Sequence, residues 1–280
     1  MTDLQAKELE LLRVFVDVCE KLGLKYYLVC GSALGAVKYK GFIPWDDDVD
    51  VALKREDYDV FLREAQNLLP DGIFLQNHRT DPAYPHIFSK LRDSGTTYIE
   101  KSVAHLPINH GIYIDVFPLD EYPTGERERR RLERTKSACK KKLSCVWAME
   151  RGPKAKLGYL LRRALGYHKK TAAILDEYEA AITVSRGKPT ELWCNHGNWQ
   201  NELEYAPADQ YGEGAIAEFE GLSVRVPEKF DAYLTQKYGD WRADLPPHQQ
   251  IGHHFYTVCD VNKPYTNQKG IRACYLSSIK

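Results

Sequence analysis

Leu9, Leu12, Val16 and Cys19 recur at spacings of three and four with charged residues between them, which predicts an opening helix that Gly23 ends. The β-prone run Tyr26-Tyr27-Leu28-Val29-Cys30 then predicts a buried strand leading into Gly31-Ser32. Residues Ala33 to Val37 suit a short helix, and Gly41 with Pro44 marks a loop. From Asp48 to Leu53 polar and apolar residues alternate, as in a strand with one buried face. Tyr58, Phe61, Leu62, Ala65 and Leu69 form a second helical stripe, stopped by Pro70-Asp71-Gly72. A later strand is predicted at Ile112 to Phe117, closed by Pro118. Pro227, Phe230, Tyr233, Leu234 and Gly239 outline a last helix, with proline at its start and glycine past its end. This order argues for a single domain over 1–280 of mixed α/β (α+β) class. Its core covers 20–120, a helical insertion covers 126–188, and a C-terminal lobe over 189–262 closes on the core.

Composition changes that picture mainly through charge. Lys+Arg and Asp+Glu are both 39 in the 280 residues, so no global electrostatic partner is implied. Yet residues 126–170 hold sixteen Lys/Arg against four Glu, a net +12, which leaves −12 for the rest of the chain. A neutral total hides a basic arm on an acidic body. The seven cysteines form an odd set without a CxxC pair, which favours a reducing cytoplasm over a disulfide scaffold or zinc ribbon. No apolar run approaches the roughly 20 residues that span a bilayer. A cytoplasmic location is therefore expected, with peripheral contact at the inner face of the cytoplasmic membrane as the alternative.

The chemistry is concentrated in Gly31-Ser32-Ala33-Leu34-Gly35 and Pro44-Trp45-Asp46-Asp47-Asp48-Val49-Asp50. Residues two apart on a strand share a face, so Asp48 and Asp50 can present two carboxylates to one site. Such a pair repels itself towards protonation unless a cation lies between. Mg²⁺ suits it, as a hard ion shared by one or two carboxylates and substrate phosphates, with Mn²⁺ as the alternative. Asp115, on the predicted strand Ile112 to Phe117, could add a third carboxylate, enough for two ions that clamp an in-line phosphoryl displacement. Gly31 permits close backbone approach to a phosphate, Ser32 adds a hydroxyl donor, and the helix that follows offers free N–H groups. Taken singly, a Gly-Ser after a strand is usually a turn, and an acidic run is usually a solvated loop. A calcium loop starting at Asp46 fails, because Val51 and Asp57 stand where Gly and Glu are required.

Together the pieces resemble the LicD family of phosphocholine transferases, whose metazoan relatives are fukutin and fukutin-related protein. The resemblance rests on Gly31-Ser32-x-Leu34-Gly35 and on Gly41-Phe42-Ile43-Pro44-Trp45-Asp46-Asp47-Asp48-Val49-Asp50. Further matches are Ile114-Asp115-Val116-Phe117-Pro118-Leu119-Asp120, Phe219-Glu220-Gly221 to Val226-Pro227, and Tyr238-Gly239-Asp240-Trp241 with Leu245-Pro246-Pro247. It covers about residues 20–120 and 190–255, and Lys38 stands where the family more often has arginine. The resemblance implies a nucleotidyltransferase-like mixed sheet with flanking helices. It also implies transfer of a phospho-alcohol, phosphocholine first, from a CDP-linked donor to a sugar hydroxyl with release of CMP. The acceptor would be a cell-surface glycan or its lipid-linked precursor, such as teichoic acid, lipooligosaccharide or capsule. By position Asp48 and Asp50 would ligate metal, Asp115 would ligate it or polarise the attacking hydroxyl, and Asp46 is a further metal candidate. Gly31 and Ser32 would hold the pyrophosphate, whereas Asp47 is expected to face away. CDP-glycerol and CDP-ribitol are the alternative donors. A nucleotidyltransferase that uses an NTP and releases pyrophosphate is the alternative reaction.

Other features weigh less. Lys38, Lys90 and Arg92 are candidate phosphate partners, though a surface basic residue is commonly just that. His253-His254 follows the Leu-Pro-Pro stretch, with a structural role as plausible as a phosphate contact. Cys194-Asn195-His196 is too sparse for a metal site and reads as core. Trp193, Trp199 and Tyr205 could contribute to an aromatic cage for a quaternary ammonium, although aromatic residues are more often core. Within the basic arm, Leu157, Leu160, Leu161, Ala164 and Leu165 stand beside Lys and Arg, as in a helix lying on an anionic membrane or in a solvated bundle face. Nucleic acid is not expected as a partner, since the arm has few aromatics and no recognised motif.

Overall fold

The computed structural model describes residues 1–148, 153–197, 204–252 and 255–267. Helix α1 (Asp3–Leu22) opens with a capping box between Thr2 and Gln5 and ends at Gly23, whose φ of 66° is left-handed. Strand β1 (Tyr26–Leu28) leads into α2 (Cys30–Tyr39), followed by β2 (Asp50–Lys54) and α3 (Arg55–Glu64). Next come β3 (Ile73–Gln76), β4 (Ser89–Asp93), β5 (Thr97–Glu100) and the long β6 (Ile112–Glu121). The basic segment forms α4 (Glu126–Leu143), α5 (Pro153–Ala164) and, beyond it, α6 (Thr171–Ile182). The remaining elements are β7 (Leu192–Cys194), β8 (Tyr205–Pro207), α7 (Ala208–Tyr211), β9 (Ala215–Phe219), β10 (Leu222–Val226), α8 (Phe230–Tyr238) and β11 (Tyr256–Asp260).

The main sheet runs β1-β2-β6-β4-β3, and β7 joins β6 further along and carries β8 on its other side. Among the described residues only β2 and β6 run parallel, with Asp50 opposite Asp115; the other pairs are antiparallel. The class is mixed α/β, as the order of elements predicts. On β4 the Ser89 hydroxyl meets Tyr58 of α3 at 2.7 Å, and Phe61 of α3 packs its ring 5.3 Å from Phe15 of α1. Helices α1 and α3 therefore cover one face. Lys90 alternates with Ser89 and so points to the opposite face.

Several boundaries differ from the sequence expectation. The strand expected at Asp48 begins at Asp50, and α2 starts at Cys30 rather than Ala33. Pro118 does not close β6, which continues to Glu121. Its antiparallel neighbour β4 ends opposite Val116, so the missing proline N–H falls where one flank of the strand is no longer paired. The last helix begins at Phe230, three residues after Pro227.

A buried ion pair ties the insertion to the core. Arg55, at the start of α3, donates to both carboxylate oxygens of Asp120 on β6, at 2.6 and 2.9 Å, and reaches Glu179 of α6 at 3.2 Å. Removing one partner would leave the other charge buried without compensation. Asp120→Ala is therefore expected to lower the unfolding free energy by about 3–5 kcal/mol in urea denaturation. An unchanged midpoint would show that Arg55 finds water or another carboxylate instead.

Candidate active site

Side chains opposite one another on neighbouring strands share a face. Asp50 on β2, Asp115 on β6 and Lys90 on β4 are successive register partners, so the three form one row on the face away from α1 and α3. All three are buried. The Lys90 ammonium lies 3.0 Å from Asp115 Oδ1 and 3.7 Å from Glu100, and it caps the Tyr113 ring at 3.2 Å from its centroid. Arg92, two residues along β4, extends to Glu100 at 3.5 Å and donates to the Gly111 carbonyl at 2.6 Å. Burial raises the Asp115 carboxyl above the usual carboxylate range, and Glu100 and Asp48 push the same way against the Lys90 ammonium.

The acidic loop supplies a second group of carboxylates. Asp46, Asp47 and Asp48 each offer an oxygen, all within 4.8 Å of one another, and each is half-buried. Asp47, expected to face away, thus belongs to the group. That expectation assumed strand alternation, but the backbone is not yet extended into β2 there, and the Asp46 N–H turns back to the Ile43 carbonyl at 2.9 Å. Three carboxylate oxygens at this spacing beside the Asp50–Asp115 pair match the donors that a hard divalent cation takes. Asp48 connects the two groups, since it is near enough to Asp115 to raise its pKa.

Helix α2 fixes the glycine-serine motif against this group. The Asp50 N–H donates to Ser32 Oγ at 2.8 Å, which ties the first turn of α2 to the start of β2. A Cβ on Gly31 would stand 2.7 Å from an Asp46 carboxylate oxygen, so only glycine leaves that carboxylate in place. A Cβ on Gly35 would come within 2.4 Å of the Gly41 carbonyl, which explains the second glycine. Cys30 opens the helix at φ 52°, an uncommon left-handed conformation for a cysteine, and its N–H donates to the Tyr233 hydroxyl of α8 at 3.1 Å.

The later motifs act as clamps. Phe219-Glu220-Gly221 makes the tight turn between β9 and β10, with Glu220 and Gly221 at φ 49° and 73°. The Glu220 carboxylate accepts from the Phe42 N–H at 3.2 Å, its own N–H donates to the Lys40 carbonyl at 2.8 Å, and Phe219 packs on Phe42 at 4.8 Å. Lys38 lies roughly 10 Å along the helix axis from Gly31. Its ammonium holds Asp244 and the Ala243 carbonyl, both at 2.9 Å. Gly252 approaches Asp47, and β11 pairs with β5 beside Glu100. His253, His254 and Trp199 lie outside the described residues.

The structure separates Trp193 from Tyr205. Cys194 is the register partner of Tyr205, which puts Trp193 and Tyr205 on opposite faces of the β7–β8 pair. Trp193 carries the Lys54 ammonium 4.1 Å from its ring centre, while Tyr205 stacks on Tyr122 at 4.3 Å. Cys194 and His196 are buried and meet at 3.4 Å, as the core reading anticipates. Glu100, Tyr233 and Glu220 escaped notice as supports of the site, and Asp47 was expected to face away from it. Of these, Asp47 and Glu220 stood within recognisable motifs. Glu100 ends an ordinary β-prone run, and no local signal marks its pairing with Lys90 and Arg92.

Residues 23–128, which carry the Gly-Ser turn, the carboxylate group and the buried lysine, match the family model described as LicD/FKTN/FKRP, nucleotidyltransferase domain. The chain is 26% identical over 262 residues to the lipopolysaccharide cholinephosphotransferase LicD of Haemophilus influenzae, covering 88% of this chain and 92% of that protein. It is 32% identical over 120 residues to an uncharacterised protein of Rickettsia prowazekii, covering 42% of this chain and 41% of the other. A stretch of 48 residues is 46% identical to the ribitol 5-phosphate transferase FKRP of mouse and human, covering 17% of this chain and 10% of each.

Glu220 holds the acidic loop through one charge-assisted bond to backbone, an interaction of about 1.5–3 kcal/mol. Glu220→Ala is therefore expected to cut turnover by roughly tenfold or more, with a far smaller effect on the melting temperature than Asp120→Ala. Full activity in that variant would show that the loop is held without the clamp.

Proposed function

We propose that this protein transfers phosphocholine from CDP-choline to a sugar hydroxyl of a cell-surface glycan or its lipid-linked precursor and releases CMP, with Mg²⁺ as the required ion. The reading is carried by the gathering of Asp46, Asp47 and Asp48 beside the Asp50–Asp115–Lys90 row. The likeness to a lipopolysaccharide cholinephosphotransferase along most of the chain supports the transferase activity and favours choline. Asp46, Asp48, Asp50 and Asp115 would hold the metal, with Asp47 added by the geometry. Mg²⁺, or Mn²⁺ in its stead, would neutralise the donor phosphates and make the acceptor hydroxyl more acidic.

The chain's own residues supply the rest. Gly31 and Ser32, in the first turn of α2, would offer backbone N–H groups to the donor pyrophosphate. Ser32 Oγ already accepts from Asp50, so its own O–H is the group it can give to a phosphate oxygen. Asp115 would ligate the metal or polarise the attacking hydroxyl, and the Lys90 ammonium, 3.0 Å from its carboxylate, would balance its charge. Lys38 reaches the donor only if the 241–244 segment releases it. No covalent enzyme intermediate is needed, so positioning and charge carry the rate. CDP-ribitol is the second donor to test, because a short stretch is similar to a ribitol 5-phosphate transferase. CDP-glycerol is the third.

Asp48→Asn is expected to abolish metal-dependent turnover while leaving the melting temperature close to that of the wild type. Product analysis of the wild type with CDP-choline, Mg²⁺ and a glycan acceptor should yield CMP. Retained turnover in the variant would overturn the metal assignment, and pyrophosphate release from an NTP would replace the reaction by nucleotidyl transfer.

A further inference from the structure

Helix α5 is amphipathic the wrong way round for a protein core. Leu157, Leu160 and Leu161, with Leu165 just past its end, are 71%, 51%, 59% and 57% exposed. At 100° per residue they fall within an arc of roughly 140° on one side of the helix. Tyr159, Arg162 and Arg163, by contrast, are half-buried. Arg163 donates to the Cys145 carbonyl at 3.4 Å, which fixes the arginine side inward and leaves the leucines facing out. Soluble proteins seldom expose a contiguous leucine face of this kind unless something covers it.

Charge identifies the cover. The face sits within the segment 126–170, which carries the net +12, and Lys156, Lys169 and Lys170 beside it are exposed. A second copy of the chain would bring the same basic segment against its own. An anionic surface would be attracted. We propose that the leucine face of α5 is a membrane-docking surface, which lies in the plane of an anionic lipid bilayer with its leucines among the acyl chains and its lysines at the headgroups. The helix is roughly 18 Å long, enough to lie along the interface and too short to cross it.

Contacts lead from this surface towards the site. Trp147 follows Cys145 by two residues and packs its ring 5.9 Å from His86, which lies 5.0 Å from Phe88. Phe88 in turn stacks on Phe117 at 4.5 Å, and Lys90 and Asp115 are the next residues on that face of their strands. A bilayer under α5 would thus be linked by packed side chains to the carboxylate row. The docking proposal itself does not depend on the identity of the donor.

The test is flotation of the full-length protein with vesicles of phosphatidylcholine mixed with phosphatidylglycerol, and with phosphatidylcholine alone. Wild type should float with the anionic vesicles and much less with the neutral ones. Exposed leucines contribute little to folding, so Leu157→Ser combined with Leu161→Ser should keep the circular dichroism and melting temperature while weakening vesicle binding at least about tenfold. Equal binding by the double variant, equal binding to neutral vesicles, or no binding by wild type would each overturn the proposal. So would a wild-type dimer in sedimentation that this double variant dissolves.

Discussion

Two carboxylates held side by side in the interior of a sheet are the constraint around which this molecule is arranged. Adjacent strands lie about 4.8 Å apart, and the parallel register of β2 and β6 puts Asp50 directly beside Asp115. Burial raises the Asp115 carboxyl, with Glu100 and Asp48 adding to the rise and the Lys90 ammonium opposing it. Lys90 on the third strand offsets one charge, while Glu100 and Arg92 continue the alternation of sign outwards. The pattern leaves a surplus of negative charge where the acidic loop arrives. A cation and the phosphates it carries would complete it.

The supports are understandable from that surplus. Ser32 pins α2 to Asp50, Gly31 and Gly35 admit the acidic loop close to the helix, and Glu220 grips the loop from the β9–β10 turn. Tyr233 holds Cys30 in a conformation that its own backbone preference would not choose. These contacts come from residues up to about two hundred positions away in sequence. The C-terminal third therefore serves the site by holding its loops, through Glu220, Tyr233 and the bonds from Lys38 to the 241–244 segment.

Much of the first half was legible because its periodicities are undisturbed. The stripe of α1, its stop at Gly23, and the strand-to-helix step at Gly31 all follow from local spacing. The carboxylates of Asp48, Asp50 and Asp115 could be picked out, but not their arrangement. The alternation Asp48-Val49-Asp50 imitates a strand that starts two residues later, since the loop before it is held by bonds such as that from Gln5 Nε2 to the Asp46 carbonyl. Strand β4 was invisible for the opposite reason. Ser89-Lys90-Leu91-Arg92-Asp93 is polar enough to resemble a surface loop, and only distant partners make its charges tolerable inside. The basic arm read as a helix correctly, but composition alone could not tell which side its leucines face; the inward bond of Arg163 decides it.

Calorimetric titration with CDP-choline, CDP-glycerol, CDP-ribitol and CTP, each with and without Mg²⁺, tests the central claim most directly. The account predicts tight binding of CDP-choline that disappears when Mg²⁺ is withheld. Binding of CTP alone, or binding of CDP-choline indifferent to Mg²⁺, would contradict it.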